Sequence, residues 1–162
     1  MSDIRKILEY ALAMEKKGAA FYREQAEKAR DEEIKKLLHR LSEFEQEHVN
    51  YLQNKIDELE EKADISFNPG AISEEEVSFV SRKKEELDEE SKNDLPIIRM
   101  AYLIEKDFHD FYKKAAQKTD GEQARQLLLE LASWEEKHLN YLYKMYQQIL
   151  QEFWFDMGFE PF

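Results

Sequence analysis

Glu15, Glu45 and His48 recur ninety positions later as Glu105, Glu135 and His138. In each copy a glutamate is followed, thirty residues on, by Glu-x-x-His: Glu45-Gln46-Glu47-His48 and Glu135-Glu136-Lys137-His138. Residues three apart on a helix share a face, so each Glu–His pair can reach a single point. Together the copies offer four carboxylates and two imidazoles, enough donors to surround two transition-metal ions inside a helical bundle. Oxygen donors with one imidazole per ion suit iron or manganese better than ions that prefer thiolate. Two divalent cations would balance the four acids. Without them, four carboxylates in an apolar interior are costly to keep ionised, and some are expected to take up protons.

The elements that must position these donors are four long helices. The first is predicted over about Ser2 to Lys28, with Ile4, Ile7, Leu8, Ala11, Leu12, Glu15, Ala19, Tyr22 and Ala26 on one face. The second runs from about Asp31 to Lys62 and places Glu45 and His48 in a stripe with Ile34, Leu37, Leu38, Leu41, Leu52, Ile56 and Leu59. Pro96, with Asn93 or Asp94 as cap, opens a third helix reaching about Lys118. Thr119-Asp120-Gly121 marks a turn, and the fourth helix continues to about Glu152.

Residues 11–52 align with 101–142 without a gap and share sixteen identities in 42 positions. This is an internal duplication of a helical hairpin. Glu15 and Glu45 are centred on residue 30, and Glu105 and Glu135 on residue 120, both of them predicted turns. All four acids therefore lie fifteen residues from a turn, roughly 22 Å along the helix axis at 1.5 Å per residue. Pseudo-two-fold packing of the hairpins would bring the six groups together at mid-bundle.

The expected fold is all-α: a four-helix bundle of two antiparallel hairpins, 1–62 and 94–152, joined by a long crossover over 63–93. Within the crossover, Asn68-Pro69-Gly70 reads as a turn and Ser73-Glu74-Glu75-Glu76 as a capping box. The tail 153–162, Phe-Trp-Phe-Asp-Met-Gly-Phe-Glu-Pro-Phe, is too aromatic to leave in water. It is expected to pack on the bundle or, by preference, on a second copy, giving a homodimer.

Composition bounds the function from the other side. With 162 residues, 42% hydrophobic and 37% charged, the chain reads as one amphipathic helical domain. A formal charge of −12 argues against nucleic acid. The absence of cysteine excludes disulfides, thiolate catalysis and any iron–sulfur centre in the chain, so redox chemistry here requires electrons from elsewhere. No run of eighteen apolar residues suggests a membrane span, and the N-terminus carries no apolar signal core. A cytoplasmic location is the expectation.

The duplicated Glu and Glu-x-x-His pattern resembles the rubrerythrin group of ferritin-like di-iron proteins over nearly the whole chain except the tail. The resemblance implies that Glu45 and Glu135 bridge two iron ions, manganese or another divalent metal being possible. It implies Glu15 and Glu105 as terminal ligands, with His48 and His138 each completing one ion. Tyr22 and Tyr112, seven residues after the terminal glutamates, resemble the tyrosines that hydrogen-bond ligand carboxylates in that group; as plain sequence they also suit an amphipathic core. The implied activity is reduction of hydrogen peroxide or dioxygen with electrons from an external donor such as a rubredoxin-like protein. Ferrous iron oxidation and storage is an alternative, and a non-catalytic bundle with a relic site is another.

Two departures from the group stand out. Its members proper carry a further glutamate three residues after the third-helix Glu, where this chain has Phe108, and many carry a cysteine-bearing rubredoxin domain, which a chain without cysteine lacks. His109 has Ala19 as its counterpart and lies one turn beyond Glu105, so it reads as an extra ligand, a proton donor or gate over the site, or a residue at the pocket edge. His39 reads as a surface residue. Trp134 and Phe44, each preceding a ligand glutamate, read as core packing.

Overall fold

The computed structural model describes residues 2–70 and 93–156. Four helices make up the bundle: α1 Ser2–Lys28, α2 Glu32–Lys62, α3 Leu95–Lys118 and α4 Glu122–Asp156. The capping-box segment 73–76 and the last six residues of the aromatic tail lie outside the described residues. Helix α4 runs four residues past the expected Glu152. No helix breaker stands in the sequence before Gly158, so nothing in 153–156 stops it.

Local chemistry sets the helix ends. Asp31 is the N-cap of α2, its carboxylate accepting the backbone N–H groups of Glu33 at 2.9 Å and Ile34 at 3.0 Å. Ala63 closes the same helix in the left-handed region, φ 55°, and donates its N–H to Leu59 at 3.1 Å. Between α3 and α4, Gly121 takes φ 98°, a conformation that a side chain would strain.

Asp94 begins α3 but caps the other hairpin. Its carboxylate accepts the backbone N–H groups of Arg30 at 2.9 Å and Asp31 at 2.7 Å, across the α1–α2 turn. The second hairpin therefore starts at the end of the bundle where the first one turns. At the opposite end, the chain leaving α2 runs along α4: Phe67 donates its N–H to Gln123 and Gly70 donates to Glu130. Residues 63–93 thus connect one end of the bundle to the other, which requires the long crossover and sets α3 antiparallel to α1.

Periodicity decides what each helix buries. On α1, Leu8, Ala11, Ala19, Tyr22 and Ala26 are buried, and on α2 Ile34, Leu37, Leu38, Leu41, Leu52 and Ile56 are. The buried apolar side chains fall into two separate clusters. One gathers Leu8, Leu52, Ile56, Leu127, Leu128 and Leu131; the other gathers Tyr22, Ile34, Leu38, Ile98, Leu142 and Ile149. Between them lies a polar layer. Among the described residues, no helix is long and apolar enough to cross a membrane.

Candidate metal centre

One side chain pair comes from each hairpin's second helix and one acid from each first helix, and all six are fully buried. Glu15, Glu45, His48, Glu105, Glu135 and His138 have no exposed surface. Their donor atoms form two overlapping groups. Glu15, Glu45, His48 and Glu135 bring one atom each within 4.8 Å of one another, and so do Glu45, Glu105, Glu135 and His138. Glu45 and Glu135 belong to both. The two imidazoles stack across the pseudo-two-fold axis with centroids 5.3 Å apart and planes within 7°.

Each imidazole faces three acids through one ring nitrogen. His138 Nδ1 lies 3.0 Å from Glu45 Oε1, 3.1 Å from Glu105 Oε2 and 3.4 Å from Glu135 Oε2. His48 Nδ1 lies 3.2 Å from Glu135 Oε1, 3.5 Å from Glu45 Oε2 and 3.6 Å from Glu15 Oε2. A single nitrogen cannot satisfy three acids. Glu15 Oε2 and both oxygens of Glu45 and Glu135 consequently have no hydrogen-bond partner, although all are buried. A native interior rarely leaves five carboxylate oxygens in that condition. Hard oxygen and imidazole donors converging on two adjacent points fit a pair of divalent transition ions.

The electrostatics follow from crowding. Burial, then the charges of Glu135, Glu105 and Glu15, holds the Glu45 carboxyl well above its ordinary range. Burial and the Glu15 charge push Glu135 up to about 8. Burial also raises Glu15, but the influence of its neighbours Glu45, His48 and Tyr112 outweighs it and brings the group down to about 2. For Glu105 the His138 charge and hydrogen bond outweigh burial, and the carboxyl is lowered. Burial favours neutral imidazoles, yet the surrounding acids hold both His48 and His138 well above the usual histidine range. In each case the crowding of like charges in a buried layer favours bound protons or, in their place, cations.

Tyr22 and Tyr112 support the layer in a way that sequence spacing did not reveal. Each is fully buried, and each hydroxyl donates to the terminal acid of the opposite hairpin: Tyr22 to Glu105 Oε1, Tyr112 to Glu15 Oε1. Each phenol thus fixes one carboxylate oxygen. Burial, reinforced by these acids, pushes both phenols well above their ordinary range, so they remain donors. Tyr112→Phe leaves Glu15 Oε1 without its donor and should lower the stability of the metal-free protein by about 1–3 kcal/mol. Denaturant unfolding of that variant and of Tyr22→Phe, whose effect should be similar, measures it.

The remaining histidines lie outside the layer. The His109 side chain is 18% exposed, with Nδ1 3.3 Å from Asp110 Oδ1, and it contributes to neither donor group. His39 is on the surface, 3.5 Å from Glu27.

The rubrerythrin family model matches residues 6–146, a span that holds all six donors. The chain belongs to the rubrerythrin family. A solved structure, a hypothetical protein from Pyrococcus furiosus, has a similar fold: TM-score 0.67, 25% identity, with 93% of this chain and 94% of that chain covered. Comparison with curated proteins gives no match.

Within this rubrerythrin family member, position 108 is filled by a buried ring instead of a carboxylate. Its partner is Gly18, the equivalent position of the first hairpin. A Cβ on Gly18 would stand 3.0 Å from Phe108 Cε2 and 3.9 Å from Glu45 Cγ. A bare glycine lets the Phe108 ring lie against α1, beside the layer of acids. Glycine inside a helix costs about 1 kcal/mol relative to alanine, and here the tight approach of the Phe108 ring favours it. The signal was present in the sequence, because Gly18 and Phe108 break the duplication at one position.

Proposed function

We propose that this protein is a non-haem di-iron oxidoreductase of the rubrerythrin type, reducing hydrogen peroxide or dioxygen with electrons from an external donor. The observation that carries the reading is the sharing of Glu45 and Glu135 between two donor groups. In this reading Glu45 and Glu135 would help to hold both of two iron ions, with Glu15 and His48 holding one of them and Glu105 and His138 the other. Bound there, a pair of iron ions supplies two one-electron reductants side by side, matching the two electrons needed to break an O–O bond.

The chain's own residues set the conditions for that chemistry. Tyr22 and Tyr112 hold the terminal acids and keep a proton beside each of them. The two apolar clusters exclude water from both ends of the layer. The proposal includes an external donor, such as a rubredoxin-like protein, and a homodimer acting in the cytoplasm.

Anaerobic loading with ferrous iron, followed by rapid mixing with peroxide or with oxygen, tests this reading. The expected result is two irons per chain and faster oxidation by peroxide. An iron count near zero overturns it. Mass in solution separates the enzyme from an iron store: a dimer has twice the 19.5 kDa of one chain, whereas storage requires a hollow multi-subunit shell.

A further inference from the structure

The acid layer is walled unequally. Its two ends are closed by the apolar clusters. On the α2 and α4 side, His48 stacks on Trp134 with centroids 5.0 Å apart, and His138 stacks on Phe44 at 5.3 Å. Trp134 and Phe44 are both buried, so large rings fill that seam from each helix. The α1 and α3 side is built more lightly. There one ring, Phe108, faces a glycine, Gly18.

Outside that pair a cavity of about 450 Å³ opens between α1 and α3. Met14, Phe21 and Ile104 wall it, and the exposed Tyr10 and Lys17 stand at its rim. Its floor is Gly18 and Phe108, which are buried. Each follows a terminal acid, Glu15 or Glu105, by three residues and so stands on the inward face one turn along. The layer lies directly behind: a Cβ on Gly18 would be 3.9 Å from Glu45 Cγ and 3.0 Å from Phe108 Cε2. With no side chain at position 18, the Phe108 ring is what closes the wall.

We infer that this cavity is the entrance to the layer and that Phe108 decides what enters, admitting hydrogen peroxide or dioxygen and refusing peroxides that carry an organic group. The inference rests on the di-iron reading above. It concerns passage alone; no bond forms or breaks at the floor. The six donors have no exposed surface, so a reactant reaches them only when a side chain moves. Phe108 has room to move, because the cavity lies against its ring and leaving a rotamer well costs little. The displaced ring then occupies the cavity. A small molecule slips past it toward Glu45, whereas one large enough to fill the cavity keeps the ring shut. The lining agrees with that choice. Largely apolar walls suit a neutral molecule, and Lys17 at the rim repels cations.

Nitric oxide, a neutral diatomic that gives ferrous iron a visible absorption band, tests the passage without turnover. The full-length protein is loaded with ferrous iron anaerobically and mixed with nitric oxide by stopped flow. Phe108→Ala should speed association and dissociation alike by about tenfold, the factor one displaced rotamer is worth, and Phe108→Leu should do so to a smaller extent. The equilibrium constant should not change, because an entrance alters both rates equally. Gly18→Ala keeps the ring and fills the space beside Glu45, so it should slow both rates; its opposite sign carries the test if the Phe108 variants do not fold. Separately, cumene hydroperoxide should oxidise the ferrous wild-type protein far more slowly than hydrogen peroxide does, and Phe108→Ala should narrow that gap by about tenfold. If the variants bind iron but keep the wild-type nitric oxide rates, or shift the equilibrium constant instead, the entrance is overturned and the di-iron reading stands. A peroxide ratio unmoved by Phe108→Ala overturns the selection by size. If the wild-type protein binds no iron, the di-iron reading fails and the entrance with it.

Discussion

Ferrous iron, added without oxygen, should raise the thermal midpoint of this protein by roughly 10 °C or more. A ligand present at a thousandfold excess over its dissociation constant stabilises by about 4 kcal/mol per site, and a domain of this size gains about 2–4 °C per kcal/mol. The gain should depend on pH in a definite sense. Glu135 has an ordinary value of 4.5 and a folded value of about 8, and Glu45 is raised in the same direction. Groups raised by folding lend stability that is full below pH 4.5 and is lost as pH rises through about 8. Glu15 and Glu105 shift the other way, and their contribution is lost only as pH falls, for Glu15 toward about 2. Between about pH 4.5 and pH 8, the metal-free midpoint should therefore fall as pH rises. Cations replace those protons, so the loaded protein should not show the fall, and loading near neutral pH should release protons. Calorimetric scans of both forms across that range measure the effect. Coincident midpoints would remove the metal site.

Glu135→Ala should abolish binding of both ions, whereas Glu15→Ala should leave about one per chain. Glu135 stands in both donor groups and Glu15 in one. Removing a shared acid takes a donor from each ion and also the negative charge that lets two cations sit side by side. Removing a terminal acid leaves the other group intact. The same logic pairs Glu45→Ala with Glu105→Ala. Iron counted by mass spectrometry of the intact protein under native conditions gives the stoichiometry directly. Equal loss from all four variants would contradict the bridging arrangement. Glu15→Ala also frees the Tyr112 hydroxyl, so its loss of metal-free stability should approach that of Tyr112→Phe.

Much of this was legible in the sequence, because helix period and spacing from a turn are local properties. The apolar stripes place Glu15 and Glu45 on inward faces, and their equal distances from residue 30 put them at one height. The links observed at 29–31 and 119–121 fall at the expected turns. What could not be read depends on how the hairpins meet. Tyr22 and Tyr112 share a face with Glu15 and Glu105 of their own helices, yet α1 and α3 are antiparallel, and each phenol reaches the acid across the interface. His109 follows Glu105 by four residues, a step that turns it about 40° around the helix axis. That rotation, with Asp110 beside it, leaves the ring outside the layer. Asp94 holds the expected N-cap position of its own helix, but its carboxylate secures the turn of the first hairpin. A pattern confined to one helix cannot report such contacts.

Because Glu45 and Glu135 each serve both donor groups, neither half of the chain can assemble even one complete group alone. Two identical hairpins, meeting as separate molecules, would create the same nest of acids and imidazoles under true two-fold symmetry. Such a pair would be bound to sameness: two phenylalanines meeting where Gly18 and Phe108 touch would collide, and two glycines would leave a hole. Joining the copies in one polypeptide lifts that restriction. It lets one half grow a ring where the other retreats, and an indole where the other keeps a phenyl. Fusion thus gives the two overlapping donor groups different surroundings.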